Sequence, residues 1–189
     1  MSYGIKDFKS RNSGFTLVEA MVVVAVLAIV AMIGLPAMRA FIANSRLVTQ
    51  TNEVLAAVQV ARSEATRLNA SVTFCRAAGA TATTCAGGNG ANDWEHWIVL
   101  AQGSVLKRGV VTGDRVNLRA SGTLTNNQIV YGADSLARTT GGALVTAALR
   151  VCSSDNALSS NHRLISLQAG GRAYVFGGVA TADCDSSFT

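Results

Sequence analysis

Few side chains in this 189-residue chain could do chemistry, and one of them sits where an acid is costly. Glu19 follows Gly14-Phe15-Thr16-Leu17-Val18 and opens a run, residues 20–38, that carries no charge. A lone acid at the centre of a membrane helix costs on the order of 2.5–3.5 kcal/mol on insertion scales. Such a carboxylate calls for a functional reason. Four thiols, Cys75, Cys85, Cys152 and Cys184, could pair or ligate a metal. His96 and His162 are the only imidazoles, and neither has an acid partner at a set spacing. Each reads as a surface or capping residue. No nucleophile elbow, phosphate loop or paired-carboxylate signature occurs. The chain is not expected to be an enzyme, and no cofactor is implied.

The element that positions Glu19 is an apolar helix. Residues 20–38 span 19 positions, about 28 Å at 1.5 Å per residue, close to the roughly 30 Å hydrocarbon core. A secretory signal has a shorter apolar region followed by a small-x-small site. Ala28-Ile29-Val30-Ala31 and Gly34-Leu35-Pro36-Ala37 match such a site only weakly, so a retained anchor is expected. Lys6, Lys9 and Arg11, against Asp7, make the N-terminal flank basic. That bias orients this end to the cytoplasm and places everything after Arg39 outside the inner membrane. Net charge is +5. This mild excess does not by itself imply nucleic acid, which usually needs a clustered patch.

Four cysteines fit an exported domain, where an even number reads as disulfides. None forms Cys-x-x-Cys, and neither histidine sits at zinc-finger spacing, so no metal is expected. Three pairings are open. The local one, Cys75–Cys85 with Cys152–Cys184, is expected because each bond closes a polar, Gly/Ser-rich loop.

Past Met38 the sequence stays helical but becomes amphipathic. Phe41, Ile42, Leu47, Val48, Val54, Leu55, Val58 and Ala61 or Ala65 recur at helical spacing. Arg39, Arg46, Gln50, Glu53, Arg62, Glu64 and Arg67 supply the polar positions. The helix is expected from about residue 16 to about residue 69, ended by Asn69, with a length of about 80 Å. Its second half should lay one apolar face on a sheet. Pro36, the only proline, removes one backbone bond and clashes with the carbonyl of Met32, so a kink or meltable turn is expected there.

From residue 71 the pattern becomes short strands, at 71–76, 94–101, 105–111, 116–120, 128–131, 147–152, 163–168 and 173–176. Loops fall at 86–90, Ser121-Gly122, Gly141-Gly142, 153–161 and Gly170-Gly171. No helices intervene, so the sheets should be mainly antiparallel. The fold class is α+β, one long N-terminal helix packed on a β-rich head. Trp94 and Trp97 are expected in core and edge packing rather than in a binding surface. Residues 177–189 form a polar tail that Cys184 could pin back.

Gly14-Phe15-Thr16-Leu17-Val18-Glu19 after a short basic leader resembles the class III signal peptide of type IV pilins and type II secretion pseudopilins. That resemblance implies a type IV pilin-like fold. It also implies cleavage by a prepilin peptidase between Gly14 and Phe15, and methylation of the new Phe15 amine. The implied organisation is a leader, 1–14, a transmembrane and filament-core helix, 15–38, its amphipathic continuation, 39–70, and a head, 71–189. Pilins resembling this chain carry a proline at the position of Pro36. Glu19, four residues beyond Phe15, would neutralise the Phe15 amine of a neighbouring subunit. The alternative role for Glu19 is an acid at a helix N-terminus, where the macrodipole favours it.

The head carries a second resemblance. Asp93-Trp94-Glu95-His96-Trp97, Leu149-Arg150-Val151-Cys152, Arg163-Leu164-Ile165-Ser166-Leu167 and Gly170-Gly171-Arg172 look like the GspH/FimT/FimU group of minor pilins and pseudopilins. The implied function is a minor pilin that helps initiate or cap a type IV pilus filament. The implied partners are other minor pilins, the major pilin and, before assembly, inner-membrane lipid, with the head in the periplasm. A GspH-like pseudopilin of type II secretion is the alternative. A FimT-like DNA-binding subunit is the third reading. It rests on Arg172, but Tyr174 replaces the second arginine of that branch's Gly-Arg-x-Arg motif. His96 also departs from the glycine common at its place in the group.

Overall fold

The computed structural model describes residues 14–88, 94–111, 115–168, 170–178 and 183–184. The leader up to residue 13, Asp93 and most of the polar tail lie outside these described residues. The chain divides into two compact units at the Met38/Arg39 boundary.

Helix α1 runs Leu17–Leu68. Its start has a chemical cause: the Glu19 backbone N–H donates to Thr16 Oγ1 at 3.2 Å, making Thr16 the N-cap. Its end has one too. Asn69 is left-handed, at φ 48°. The Asn69 N–H donates to the Thr66 carbonyl and the Ala70 N–H to the Ala65 carbonyl, the crossed pair of bonds of a Schellman motif. Pro36 lies inside α1, which continues through it.

Up to Met38 every described residue is exposed. Beyond it, α1 buries one stripe: Ala43, Leu47, Gln50, Thr51, Val54, Ala57, Val58, Ala61 and Ala65. The sequence reading of this face needs correcting. Phe41, Ile42 and Val48 are 70%, 44% and 38% exposed, and Gln50, read as polar and outward, is buried. The reason is helical phase. At 3.6 residues per turn the buried positions fall on one side of α1, large residues such as Leu47 and Val54 among them, and positions 41, 42 and 48 lie off that side. The Thr51 hydroxyl is satisfied within α1, donating to the Leu47 carbonyl at 2.7 Å.

Among the described residues nine strands follow: β1 Val72–Ala77, β2 His96–Ala101, β3 Ser104–Val110, β4 Val116–Ala120, β5 Gln128–Tyr131, β6 Ala137–Arg138, β7 Ala147–Ser153, β8 His162–Leu167 and β9 Ala173–Gly177. They form a five-stranded sheet in the order β3-β2-β1-β5-β6 and a four-stranded sheet in the order β4-β7-β8-β9. Every pairing is antiparallel. Strand β6 was not anticipated, since two residues show no periodicity. Trp94 was expected in a strand but precedes β2. Its backbone N–H donates to the Leu118 carbonyl at 2.8 Å, which ties the segment leading into β2 to β4 of the second sheet.

Alternation along each strand sets the core. Phe74, Trp97, Val99 and Ile129 from the first sheet meet Leu118, Leu149, Val151, Ile165 and Leu167 from the second, with the α1 stripe against them. The outer face of the first sheet carries a separate small cluster of Cys75, Ala77 and Ile98 under the loop that ends at Cys85. Asn44 Oδ1 accepts from Arg163 at 3.1 Å, joining α1 to β8.

Candidate functional site

At the N-terminal end of α1 the two residues expected to act in assembly are both open to solvent. Phe15 is 80% exposed, two residues before α1 begins, and Glu19 is exposed in the first turn. Among the described residues the Glu19 carboxylate makes no ion pair. Its backbone N–H is what Thr16 holds, and sequence reading missed that role of Thr16. The signal was available, because Thr16-x-x-Glu19 has the spacing of a capping box. The following residues to Met38 expose Val22, Leu27, Ile29, Val30, Ile33 and Leu35 among others. This stretch is long and apolar enough to cross a membrane, with mean hydropathy 2.7.

In the head, Trp94 and Trp97 are fully buried, so neither forms an open binding surface. Phe74 lies between them, 5.5 Å from Trp94 and 5.7 Å from Trp97 by ring centroid. Opposite Trp97 in the ladder is Gly109. A Cβ at Gly109 would fall 2.1 Å from the Trp97 ring, so only glycine lets β3 pass over the indole.

Cys75 is bonded to Cys85 and Cys152 to Cys184, with Cα–Cα distances of 5.6 and 5.5 Å. The first bond lies on the outer face of the first sheet. The second starts on the face of β7 that points away from the core and secures Cys184 of the tail.

Arg172 is exposed at the turn between β8 and β9 and shares a cleft of about 340 Å³ with Arg62, Tyr131 and Tyr174. Gly171 has a separate, structural task that sequence reading did not find. Its φ is +70°, and a Cβ there would meet the Ser135 carbonyl oxygen at 2.3 Å. The buried Tyr131 hydroxyl donates to the Gly171 carbonyl at 3.4 Å, and burial pushes the phenol up to about 12. Gly171 thus docks the β8–β9 turn onto the first sheet. Tyr174 packs edge-on against Phe176, centroids 4.7 Å apart.

His96 and His162 each begin a strand and do not meet. His96 Nε2 lies 3.9 Å from Glu95 Oε1. His162 is held below its ordinary value by burial, then by Arg150 and Arg163. Among the described residues no three metal-ligating side chains converge.

An antiparallel β head carried by a long N-terminal helix, whose first stretch exposes only apolar side chains after a single acid, defines a pilin-type subunit. The type IV minor pilin FimU of Pseudomonas aeruginosa strain PAO1 has the same fold. One crystal form matches with TM-score 0.54 at 15% identity, over 75% of this chain and 99% of that one. Another matches with TM-score 0.50 at 16% identity, over 72% of this chain and all of that one. Residues 50–171, about two thirds of the chain, match the family described as type II transport protein GspH, and the chain belongs to that family. Residues 9–35 match the prokaryotic N-terminal methylation motif, which implies processing by a prepilin peptidase and assembly with pilin-family partners. No curated protein is significantly similar to the chain. GspH-family chains are structural pilins and pseudopilins.

Proposed function

We propose that this chain is a minor pilin of a type IV pilus that helps start or cap the filament. The observation that carries the reading is the first stretch of α1: exposed on every side, apolar throughout, and headed by one carboxylate, Glu19. Such a surface is stable only in lipid or against other helices of its kind. The leader is removed between Gly14 and Phe15, and the Phe15 amine is methylated but stays positive. While the subunit waits in the inner membrane, with its head in the periplasm, Glu19 lies near the interface. In the filament it pairs with the Phe15 amine of a neighbour. In a water-poor bundle an unpaired member of that couple costs several kcal/mol, so the pair specifies register between subunits. Pro36 leaves the Met32 carbonyl without its helical donor and supplies a turn of α1 that can loosen during insertion. The fold likeness to a type IV minor pilin favours the pilus over the secretion machine.

The second reading, a type II secretion pseudopilin, is favoured by the description of the matching family. DNA uptake has less behind it. Arg172 is the sole cation of Gly171-Arg172-Ala173-Tyr174, and Tyr174 is engaged with Phe176.

Deleting the gene and scoring surface pili with twitching, enzyme secretion and transformation separates the three readings. Loss of pili and twitching alone is the expected result; loss of secretion alone would move the chain to the pseudopilins. Complementation with Glu19→Ala should restore a folded, membrane-resident protein but not filament incorporation. Normal incorporation of that variant would remove the role assigned to Glu19.

A further inference from the structure

Three arginines converge on one cleft beside the start of the half-buried part of α1. Arg39 and Arg46 are seven residues apart on α1, two turns and about 10 Å along one face of the helix. With Ile42 and Ala43 between them they form one wall of a cleft of about 720 Å³, and Arg115 and Asp155 line it from the loops of the second sheet. Asp155 is already engaged. Its Oδ2 accepts from Arg115 at 3.4 Å, and its Oδ1 accepts from the Ala157 N–H at 3.0 Å. Among the described residues Arg39 and Arg46 form no ion pair, so the cleft holds an excess of positive charge.

Its place in the chain says what that charge meets. Arg39 is the first residue after the apolar run, so a bilayer that holds residues 20–38 ends at the height of Arg39. Exposed Phe41 and Ile42 flank it, giving the mixture of apolar and cationic side chains found at a lipid interface. Arginines on the outward side of a span also run against the usual placement of positive charge on the cytoplasmic side, which signals a use for them. A guanidinium pairs with a phosphate through two parallel hydrogen bonds.

We propose that this cleft binds the phosphate of an anionic phospholipid headgroup while the subunit resides in the membrane. The proposal rests on the anchor reading above. Arg39 and Arg46 hold the phosphate from α1, Arg115 closes on it from the head, and Asp155 keeps Arg115 in place. The headgroup thereby fixes the height of the head on the bilayer before assembly, and extraction into a filament releases it.

The test uses the full chain in phosphatidylcholine vesicles, with spin-labelled phosphatidylglycerol or phosphatidylcholine as the probe of contacting lipid. Wild type should prefer phosphatidylglycerol, by about fivefold per cleft arginine. Arg39→Gln with Arg46→Gln should remove that part of the preference, and Arg115→Gln alone should reduce it. All three side chains are exposed, so the head should stay folded. The leader cations are common to all variants, so the differences report the cleft. An unchanged preference in the double variant overturns the proposal. An unchanged preference in Arg115→Gln also does, because arginines flanking any span would then suffice. Competition by inorganic phosphate at matched ionic strength would make this a site for free anions instead. Variants that keep the preference but fail to assemble would assign the cleft to an acidic neighbour. Failure of the wild type to enter the vesicles would overturn the anchor reading itself, a result distinguishable from all of these.

Discussion

Helix α1 contains two regions that obey the same backbone rules and opposite surface rules. From Ala20 to Met38 its side chains are apolar on every face, and none is buried. From Arg39 onward one stripe is buried in the head, half-buried residues such as Leu55 and Leu68 border it, and the opposite side is exposed. The second region completes its own fold, because strands of both sheets supply the apolar surface that its stripe needs. The first completes nothing within the chain, and its apolar surface is satisfied only by lipid or by another subunit. Function in this molecule is therefore to be sought in what the fold leaves uncovered.

The same substitution in the two regions should separate them most sharply. Leu47 has no exposed area, whereas Leu35 is 61% exposed. Leu47→Ala removes a side chain from the packed core and should cost about 2–5 kcal/mol, towards the upper end because the site is closed. Leu35→Ala should leave head stability unchanged. Urea unfolding of the full chain in detergent measures both, and both tryptophans lie in the head. Equal effects at the two positions would mean that the first stretch of α1 belongs to the same cooperative unit as the head.

The disulfides come next in size and sharpen the picture within the head. Cys75–Cys85 closes a separation of 10 residues and Cys152–Cys184 one of 32. On the chain-entropy account their losses should cost about 3 and about 4 kcal/mol respectively. Cys85→Ser and Cys184→Ser, each with its partner also replaced, should show that order in urea midpoints. The reverse order would show that the small cluster of Cys75, Ala77 and Ile98 under the Cys85 loop matters more than loop length.

How much of this was legible in the sequence follows from how each feature is encoded. The apolar run, Glu19 and the end of α1 near Asn69 are local signals, readable from a few adjacent residues. The extent of α1 and eight of the nine strands follow from periodicity and turn residues. The buried face of α1 is different. Phe41 and Ile42 are more hydrophobic than Ala57 and Ala61, yet the alanines are buried, because which side of the helix is covered depends on where distant strands pack and the sequence alone does not show what faces the helix. Gly109 and Gly171 are invisible for the same reason. Each is required by a contact, with Trp97 or with the Ser135 carbonyl, that exists only once distant strands meet. The basic cleft assembles residues 39, 46 and 115, too far apart in sequence to be read as one patch.

The smallest expected effect concerns pH and again falls on the head alone. His162 sits opposite Cys152 in the ladder of the second sheet, and its ring is crowded by the Gly178 backbone, where a Cβ would lie 2.2 Å away. Burial, then Arg150 and Arg163, lower it from its ordinary value of 6.5. A lowered folded value means that the unfolded chain takes up a proton which the folded chain resists. The contribution of His162 to stability is therefore fully present above about pH 6.5 and is lost as pH falls below it towards the folded value. The urea midpoint of the head should drop across that window, and His162→Gln should flatten the drop. An equally steep fall in the variant would assign the proton uptake to other groups, and a rise in stability on acidification would mean that His162 gains a partner when charged.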